Sequence, residues 1–203
     1  MGSSRSHWED VYAAKAETAV SWYQRHPVRS LQMIVAAAPD RAAPVIDIGG
    51  GASTLVDDLL AEGFGDVTVL DVAEAALAKS KARLGSAKSK VSWIVADITQ
   101  WKAPRHYQVW HDRAVFHFLT DTARQDAYIA ALEDATRPGA TVIMATFALD
   151  GPEKCSGLPV QRYSPQTLAA RLGRSFQLID EARETHMTPG GSEQHFSYAV
   201  LRR

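Results

Sequence analysis

The sequence predicts a single α/β domain built on a mostly parallel sheet, and three observations lead to this prediction. Short β-branched runs recur along the 203 residues, and a longer segment with helical periodicity follows most of them. The first run ends in three glycines, Gly49–Gly51, where a strand turns into a helix. Strands that alternate with helices are typical of βαβ units, whose parallel sheets are covered on both faces. The length suits one domain, residues 1–203.

The elements in the middle of the chain follow from local patterns. Apolar β-branched runs predict strands at residues 45–48, 67–70, 91–96, 109–111 and 140–147. Between them, residues 53–62, 73–84 and 121–136 have the composition and periodicity of helices. Ser53 is a plausible N-cap of the first helix, and Gly63 closes it.

The two ends of the chain depart from this alternation. Residues 7–38 have helical periodicity, and we expect a helical lid there over a core at residues 43–203. The tail, residues 176–201, carries two β-rich runs around a Pro-Gly turn, which predicts a hairpin and hence one antiparallel strand. The Gly- and Pro-rich connection at 151–163 is expected to roof the pocket from the other side.

Composition excludes several classes of function. Lys and Arg number 22 against 23 Asp and Glu, so the chain lacks the basic excess that nucleic-acid binding usually needs. Cys155 is the single cysteine, which allows no internal disulfide. No run approaches the roughly 18 apolar residues of a membrane span, and residues 1–7 do not resemble a signal peptide. We therefore expect a cytoplasmic protein without nucleic-acid or membrane partners.

The glycine segment is the first candidate for chemistry. Glycines at a strand-to-helix turn let backbone approach a ligand, and ligands of open α/β sheets bind at the carboxyl ends of strands. A dinucleotide fingerprint that began at Gly49 would need glycine where Thr54 stands, and no phosphate-binding Gly-Lys-Ser/Thr follows. A role in packing alone remains the alternative for these glycines.

Three carboxylates lie at or next to the ends of successive strands: Asp47, Asp71 and Asp97. Ionised carboxylates only accept hydrogen bonds. S-adenosylmethionine offers three matching donors, namely an ammonium, a ribose diol and an adenine amino group. We assign Asp47 to the ammonium, directly or through water, Asp71 to both ribose hydroxyls, and Asp97 to the adenine amino group beside the Ile98 backbone. Each aspartate could instead be a helix cap or a turn residue.

These motifs resemble those of the class I S-adenosylmethionine-dependent methyltransferases. The resemblance implies a Rossmann-like doubly wound sheet of seven strands, mostly parallel, with one antiparallel strand near the C-terminus. It also implies cofactor binding by Gly49, Gly51, Asp71 and Asp97 and requires no metal. Ser53 stands where the family often has a third glycine.

Two segments, residues 7–23 and 112–117, are similar to the small methyltransferases related to the lysine methyltransferases of elongation factor and citrate synthase. In those proteins the second segment has the form Asp-Lys/Arg-Gly-Thr-Leu/Trp-Asp. Here Ala114 replaces the glycine and His117 replaces the final acid. Specificity for protein lysine is therefore not carried over.

His117 is the candidate catalytic residue. It follows the fourth strand on the side where the methyl group should point, and the ordinary pKa of histidine suits a general base. The alternative is a histidine packed between Phe116 and Phe118. A base is not essential, because alignment of the reactants supplies most of the acceleration in such a displacement. His111 is expected to be structural.

The remaining candidates complete the predicted site. Aromatic faces attract a sulfonium as they attract other cations. The further cofactor-binding candidates are Tyr12, Trp22, Ser53, Val72 and Asp112. The candidates for the substrate are Tyr23, Arg113 and Phe116, of which Arg113 either binds an acidic substrate or pairs with Asp112.

The leading hypothesis is in-line methyl transfer from S-adenosylmethionine to a nucleophilic acceptor, with a small molecule favoured because the chain has no room for a separate substrate domain. Methylation of a protein lysine is the first alternative. A nicotinamide-dependent oxidoreductase and a non-catalytic cofactor-binding domain are the others.

Overall fold

The computed structural model describes residues 3–203, which form six α-helices and nine strands. The helices are α1 (Ser3–Ala14), α2 (Val28–Ala37), α3 (Leu55–Ala61), α4 (Glu74–Leu84), α5 (Thr122–Ala135) and α6 (Pro165–Leu172). The strands are β1 (Val45–Ile48), β2 (Val67–Asp71), β3 (Val91–Val95), β4 (Tyr107–Arg113), β5 (Thr136–Phe147), β6 (Lys154–Cys155), β7 (Leu158–Pro159), β8 (Gln177–Met187) and β9 (Glu193–Arg202). Short 3₁₀ turns lie at Glu17–Ala19, Gly85–Lys90 and Phe116–Phe118.

Seven of the described strands form one sheet in the order β3-β2-β1-β4-β5-β9-β8. The first five pair in parallel, and β9 is antiparallel to both of its neighbours. This arrangement confirms the predicted seven-stranded, mostly parallel sheet with one antiparallel strand near the C-terminus. Strands β6 and β7 form a separate small hairpin.

Helices cover both faces of the sheet, as the doubly wound prediction requires. Alternate residues of β1 show why, because Val45 packs in one buried cluster and Ile46 in another. The first cluster includes Ile34 of α2 and Leu59 of α3. The second includes Leu132 of α5, together with side chains of α6. Both faces of the central strands are thus buried, which explains their nearly continuous apolar sequence.

Element boundaries differ from the predicted ones in two instructive places. The helix predicted from residue 53 begins at Leu55, and the hydroxyl of Ser53 accepts a hydrogen bond from the Leu55 N–H at 3.2 Å. Strand β5 begins at Thr136 rather than at residue 140, and its register against β4 is irregular between Tyr107 and Val109. Both differences are local and leave the order of elements unchanged.

The N-terminal segment divides into two parts, although the sequence predicted one lid over residues 7–38. Helix α1 lies over the carboxyl ends of the strands, where Trp8 and Tyr12 reach a cavity. Helix α2 instead packs on the sheet, and Ile34 is fully buried against the core. The cover is therefore α1 and the residues that follow it, whereas α2 belongs to the core. In residues 3–203, no helix combines the length and apolarity needed to cross a membrane.

Candidate active site

A cavity of about 490 Å³ lies at the carboxyl ends of the parallel strands. Its walls include Gly49 after β1, Asp71 at the end of β2, Asp97 after β3 and Arg113 at the end of β4. A narrower crevice shares Gly49 and Arg113 with it and extends to Asp47. The volume and the position are those of a small-molecule site in an open α/β sheet.

Asp71 is the most perturbed acid in the cavity wall. Its side chain is almost fully buried, and one carboxylate oxygen accepts a hydrogen bond from the Ala73 N–H at 2.8 Å. Burial raises the pKa of Asp71 to about 7, with smaller contributions from the negative charges of Asp47 and Glu9. A buried carboxylate with few donors of its own is ready to accept hydrogen bonds from a ligand.

Asp97 and Asp47 occupy the two ends of the site. Asp97 lines the cavity, and one of its oxygens accepts hydrogen bonds from both the N–H and the hydroxyl of Thr99. Asp47 lines the crevice and lies 2.7 Å from Nδ1 of His111, whose Nε2 lies 2.9 Å from the hydroxyl of Ser30. His111 is thus structural, as predicted, and it holds the Asp47 carboxylate in place.

The absence of side chains at Gly50 and Gly51 makes room for the carboxylates of Asp47 and Asp71. A Cβ atom at Gly50 would lie 2.4 Å from a carboxylate oxygen of Asp47. At Gly51, which has a φ of +33°, a Cβ atom would lie 2.5 Å from a carboxylate oxygen of Asp71. Neither distance is sterically possible, so these two positions must be glycine for the acids to approach the loop. The packing alternative therefore applies here, and the packed partners are the acids of the site.

Helix α4 holds the glycine-rich loop by its carbonyl groups. The hydroxyl of Ser80 donates to the Gly51 carbonyl at 2.7 Å, and the Arg83 guanidinium donates to the Ser53 carbonyl at 2.7 Å. The same guanidinium forms ion pairs with Asp57 and with Glu17. This role was not predicted from the sequence, although a serine on the apolar face of a helix is a recognisable signal.

Aromatic side chains form the cover of the cavity. Trp8 of α1 packs edge-on against Trp22 and Phe118, with ring centroids 5.6 and 5.1 Å apart. The indole N–H of Trp22 donates to the Tyr12 hydroxyl at 3.2 Å. These four side chains all line the cavity, so the predicted contribution of Tyr12 and Trp22 to its wall agrees with their location.

Two further segments complete the cover. The carboxylate of Glu9 on α1 accepts hydrogen bonds from the N–H groups of Glu74 and Ala75, at 2.7 and 3.0 Å, in the first turn of α4. The β6–β7 hairpin contributes Cys155 and Leu158 to the cavity wall, and the hydroxyl of its Ser156 lies 3.4 Å from Nε2 of His7 on α1. Part of the connection that was predicted to roof the pocket therefore lines it, and Glu9 is a positioning residue that the sequence did not reveal.

Asp112 lies behind the cavity wall rather than in it. Its carboxylate accepts hydrogen bonds from the Tyr128 hydroxyl at 2.6 Å and from the N–H groups of Val115 and Phe116. Burial raises the pKa of Asp112 to about 6, against the lowering effect of these hydrogen bonds. Asp112 was predicted to bind the cofactor, and the correction is that its buried carboxylate binds Tyr128 of α5 and the turn after β4 instead of lining the cavity.

The same turn directs Phe116 and His117 into the core. Phe116 is fully buried against Tyr128 and Tyr163, so it does not reach the cavity where we expected a substrate contact. His117 is also fully buried, and its Nδ1 accepts a hydrogen bond from the Phe147 N–H at 3.3 Å. Burial lowers the pKa of His117 to about 3, with a smaller effect of Arg113. This location matches the packed alternative rather than a general base.

Most of the predicted site residues thus lie around one cavity or the adjoining crevice, and four of them do not. Among the predicted residues, the cavity is lined by Tyr12, Trp22, Gly49, Asp71, Val72, Asp97, Ile98 and Arg113. The adjoining crevice adds Tyr23, Asp47 and Ser53. Neither space is lined by Gly51, Asp112, Phe116 or His117. In the described part of the chain, no cluster of three or more His, Cys, Asp or Glu side chains could hold a metal ion.

Comparison with known proteins agrees with this geometry. Residues 45–139 match the family described as "Methyltransferase domain". The chain is 26% identical over 133 residues to the eEF1A lysine and N-terminal methyltransferase of Mus musculus and 24% identical over 133 residues to that of Bos taurus. Each match covers 66% of this chain but only 18% of the relative, so the chain spans a small part of the curated relatives it matches.

Solved methyltransferases have the same fold. The N-methyltransferase NodS from Bradyrhizobium japonicum, in complex with S-adenosylhomocysteine, has a TM-score of 0.74 at 16% identity, covering 98% of both chains. The 1,6-didemethyltoxoflavin-N1-methyltransferase of Burkholderia thailandensis has a TM-score of 0.69 at 21% identity, covering 99% of this chain and 84% of that one. The family match over residues 45–139 and the shared fold confirm the resemblance to the class I S-adenosylmethionine-dependent methyltransferases that the sequence predicts.

Proposed function

We propose that this protein transfers the methyl group of S-adenosylmethionine to a small-molecule acceptor. The observation that carries the proposal is the pair Asp71 and Asp97, which follow adjacent strands and line one cavity with the Gly49 turn. Two groups that only accept hydrogen bonds, placed at the ends of adjacent strands, match the donors of an adenosine, namely the ribose diol and the adenine amino group. Asp47, in the adjoining crevice, then faces the ammonium of the amino-acid end.

The residues of the chain fit such a cofactor in chemistry as well as in position. When bound, S-adenosylmethionine supplies an activated methyl group on a positively charged sulfur. Trp8, Tyr12, Trp22 and Phe118 surround the middle of the cavity with aromatic faces and edges, which exclude water and attract a cation. Burial keeps the pKa of Tyr12 well above its usual value, so its phenol stays neutral and does not take up a proton from the acceptor.

Catalysis in this proposal rests on positioning. We assign His117 to packing because it lies outside the cavity and its pKa is far below neutral. Cys155 lines the cavity, and burial raises the pKa of its thiol to about 11, which keeps it uncharged. Alignment of acceptor and methyl group in a site shielded from water supplies about 7–11 kcal/mol in favourable cases. An acceptor that is already nucleophilic at neutral pH suits this arrangement best.

Methylation of a protein lysine is the second candidate, and the eEF1A methyltransferase relatives favour it. The positive charge of Arg113 in the cavity wall opposes it, because it repels a lysine ammonium. The fold and the family match give no support to the nicotinamide-dependent alternative.

Calorimetry followed by a product assay tests the proposal. S-adenosylhomocysteine should bind and raise the melting temperature by mass action, whereas NAD should do neither. An acceptor screen coupled to S-adenosylhomocysteine release, over thiols, amines, phenols, carboxylates and a lysine peptide, then separates small molecules from protein lysine. Absence of S-adenosylhomocysteine binding would refute the cofactor. Binding without turnover of any acceptor would favour the non-catalytic alternative.

A further inference from the structure

Arg113 is a buried cation with unused hydrogen-bonding capacity. Its side chain is 11% exposed and lines the cavity. Within residues 3–203, its Nε and Nη2 atoms are buried without a hydrogen-bond partner. Guanidinium donors removed from water without acceptors are costly, and a protein retains them chiefly where a ligand supplies the acceptor.

The surroundings of Arg113 fix its position but leave these donors free. The guanidinium carbon lies 4.2 Å from the centre of the Phe196 ring, and Nη1 donates to the Trp22 carbonyl at 3.3 Å. Glu184 forms an ion pair with Nη2 at 3.6 Å, a distance that is too long for a hydrogen bond. The Glu184 carboxylate is already occupied, since Gln24 and the Tyr198 hydroxyl donate to it at 3.0 Å each. Pairing with Asp112, the alternative in the sequence analysis, does not occur.

The direction of the side chain separates it from the cofactor acids. In the sheet order, β4 has β1, β2 and β3 on one side and β5, β9 and β8 on the other. Asp47, Asp71 and Asp97 belong to the first side. The guanidinium of Arg113 reaches toward Phe196 and Glu184, which are paired residues of β9 and β8 on the second side. It therefore lies in the half of the cavity that the adenosine does not need.

Much of the cavity wall is apolar. Phe196 lies against the Arg113 guanidinium, and Phe118, Cys155, Leu158 and Pro159 line the same cavity, with His7 close to the β6–β7 hairpin. The other titratable or charged side chains that line the cavity are His7, Tyr12, Asp71, Asp97 and Arg124. A cation in an apolar pocket selects a ligand with an apolar body and an anionic group, and the planar fork of arginine matches a carboxylate.

We propose that Arg113 binds the carboxylate of the acceptor, so that the substrate class is an apolar or aromatic carboxylic acid with a separate nucleophilic atom. This inference rests on the proposed function, because it places the acceptor beside the bound cofactor. A carboxylate could also come from the amino-acid end of the cofactor, since Arg113 borders the crevice as well as the cavity. The experiment has to distinguish the two sources.

The test uses ligand pairs that differ only in the anion. Calorimetry is performed on the full chain saturated with S-adenosylhomocysteine, with benzoate against benzamide and hexanoate against hexanamide. We expect each acid to bind about 10-fold to 100-fold more tightly than its amide. In Arg113→Met this preference should vanish, whereas Arg124→Met, which removes the other arginine of the wall, should retain it.

A second arm examines the cofactor. S-adenosylhomocysteine and 5′-methylthioadenosine, which lacks the amino-acid end, are titrated into wild type and Arg113→Met. The proposal predicts that the variant leaves both affinities within about threefold of wild type. Selective weakening of S-adenosylhomocysteine would assign Arg113 to the cofactor and overturn the proposal.

The remaining outcomes are also decisive. If Arg113→Met does not fold, Arg113→Lys keeps the charge but loses the fork, and its preference for the acids should fall by about 10-fold. Wild-type protein that binds S-adenosylhomocysteine but shows no preference for the acids overturns this inference and leaves the proposed function standing. Failure to bind S-adenosylhomocysteine at all would instead remove the proposed function.

Discussion

Protonation of Asp71 should control cofactor affinity near neutral pH. In the ligand-free protein its pKa is about 7, because the carboxylate is buried and accepts one hydrogen bond from Ala73. Donation from two ribose hydroxyls requires the ionised form. Below pH 7 the protein must therefore release a proton to bind, and the affinity for S-adenosylhomocysteine should fall as the pH is lowered.

The size of this effect follows from the hydrogen bonds. Two charge-assisted bonds contribute about 3 kcal/mol or more, which lowers the pKa of Asp71 in the complex by about 2 units, to roughly 5. The dissociation constant should thus increase about fivefold between pH 7 and 6, and about fivefold again between pH 6 and 5. Above pH 8 it should be constant.

Calorimetry at pH 5, 6, 7 and 8, in two buffers with different ionisation enthalpies, measures both affinity and proton release. At pH 6 binding should release close to one proton. Asp71→Asn should bind about 10-fold to 100-fold more weakly at pH 8, with no proton release. Asp97→Asn is the matched control, since it removes an acid of the same cavity and should weaken binding while the proton release persists.

Two results would refute this reasoning. A wild-type affinity that is flat between pH 5 and 8 would mean that Asp71 does not face the ribose. Proton release that persists in a folded Asp71→Asn variant would assign the titration to another group.

The other predictions concern packing. His117→Gln should lower the melting temperature but leave the turnover of the folded fraction within about twofold, and a loss of about 100-fold at unchanged cofactor affinity would restore the general base. Gly51→Ala should weaken S-adenosylhomocysteine binding by at least 10-fold, because the added methyl group would lie 2.5 Å from an Asp71 oxygen. Gly65→Ala is its control, since no atom lies within 4 Å of a Cβ there, and equal effects of the two changes would contradict the steric argument.

The fold could be read from the sequence because its signals are local. The central strands β1 and β2 are short, buried and mostly apolar runs, and every helix after α1 ends within a few residues of a glycine or a proline. The location of the acids that we propose for the cofactor was equally predictable. Strand ends in a parallel sheet meet at one edge, so Asp71 and Asp97 could be expected to line one cavity before any coordinates were known.

The orientation of the side chains in the turn after β4 could not be predicted in the same way. Position in the sequence places Phe116 and His117 beside the cavity, but the Asp112 carboxylate binds the N–H groups of the turn and rotates both side chains into the core. This depends on a hydrogen-bond geometry that residue types do not encode. The residues that fasten the cover, such as Glu9, were missed because their partners lie more than 60 positions away.

The hydrogen bonds from the Glu74 and Ala75 N–H groups to Glu9 link movement of α1 to the protonation of Asp71. If α1 swings outward, the first turn of α4 exchanges two hydrogen bonds to a carboxylate for bonds to water, at a cost of about 1 kcal/mol each. The same motion removes the negative charge of Glu9 and part of the burial that raise the pKa of Asp71. The open protein then holds Asp71 ionised at a lower pH than the closed one. Closing without a ligand takes up a proton, so the empty site favours the open form as the pH rises.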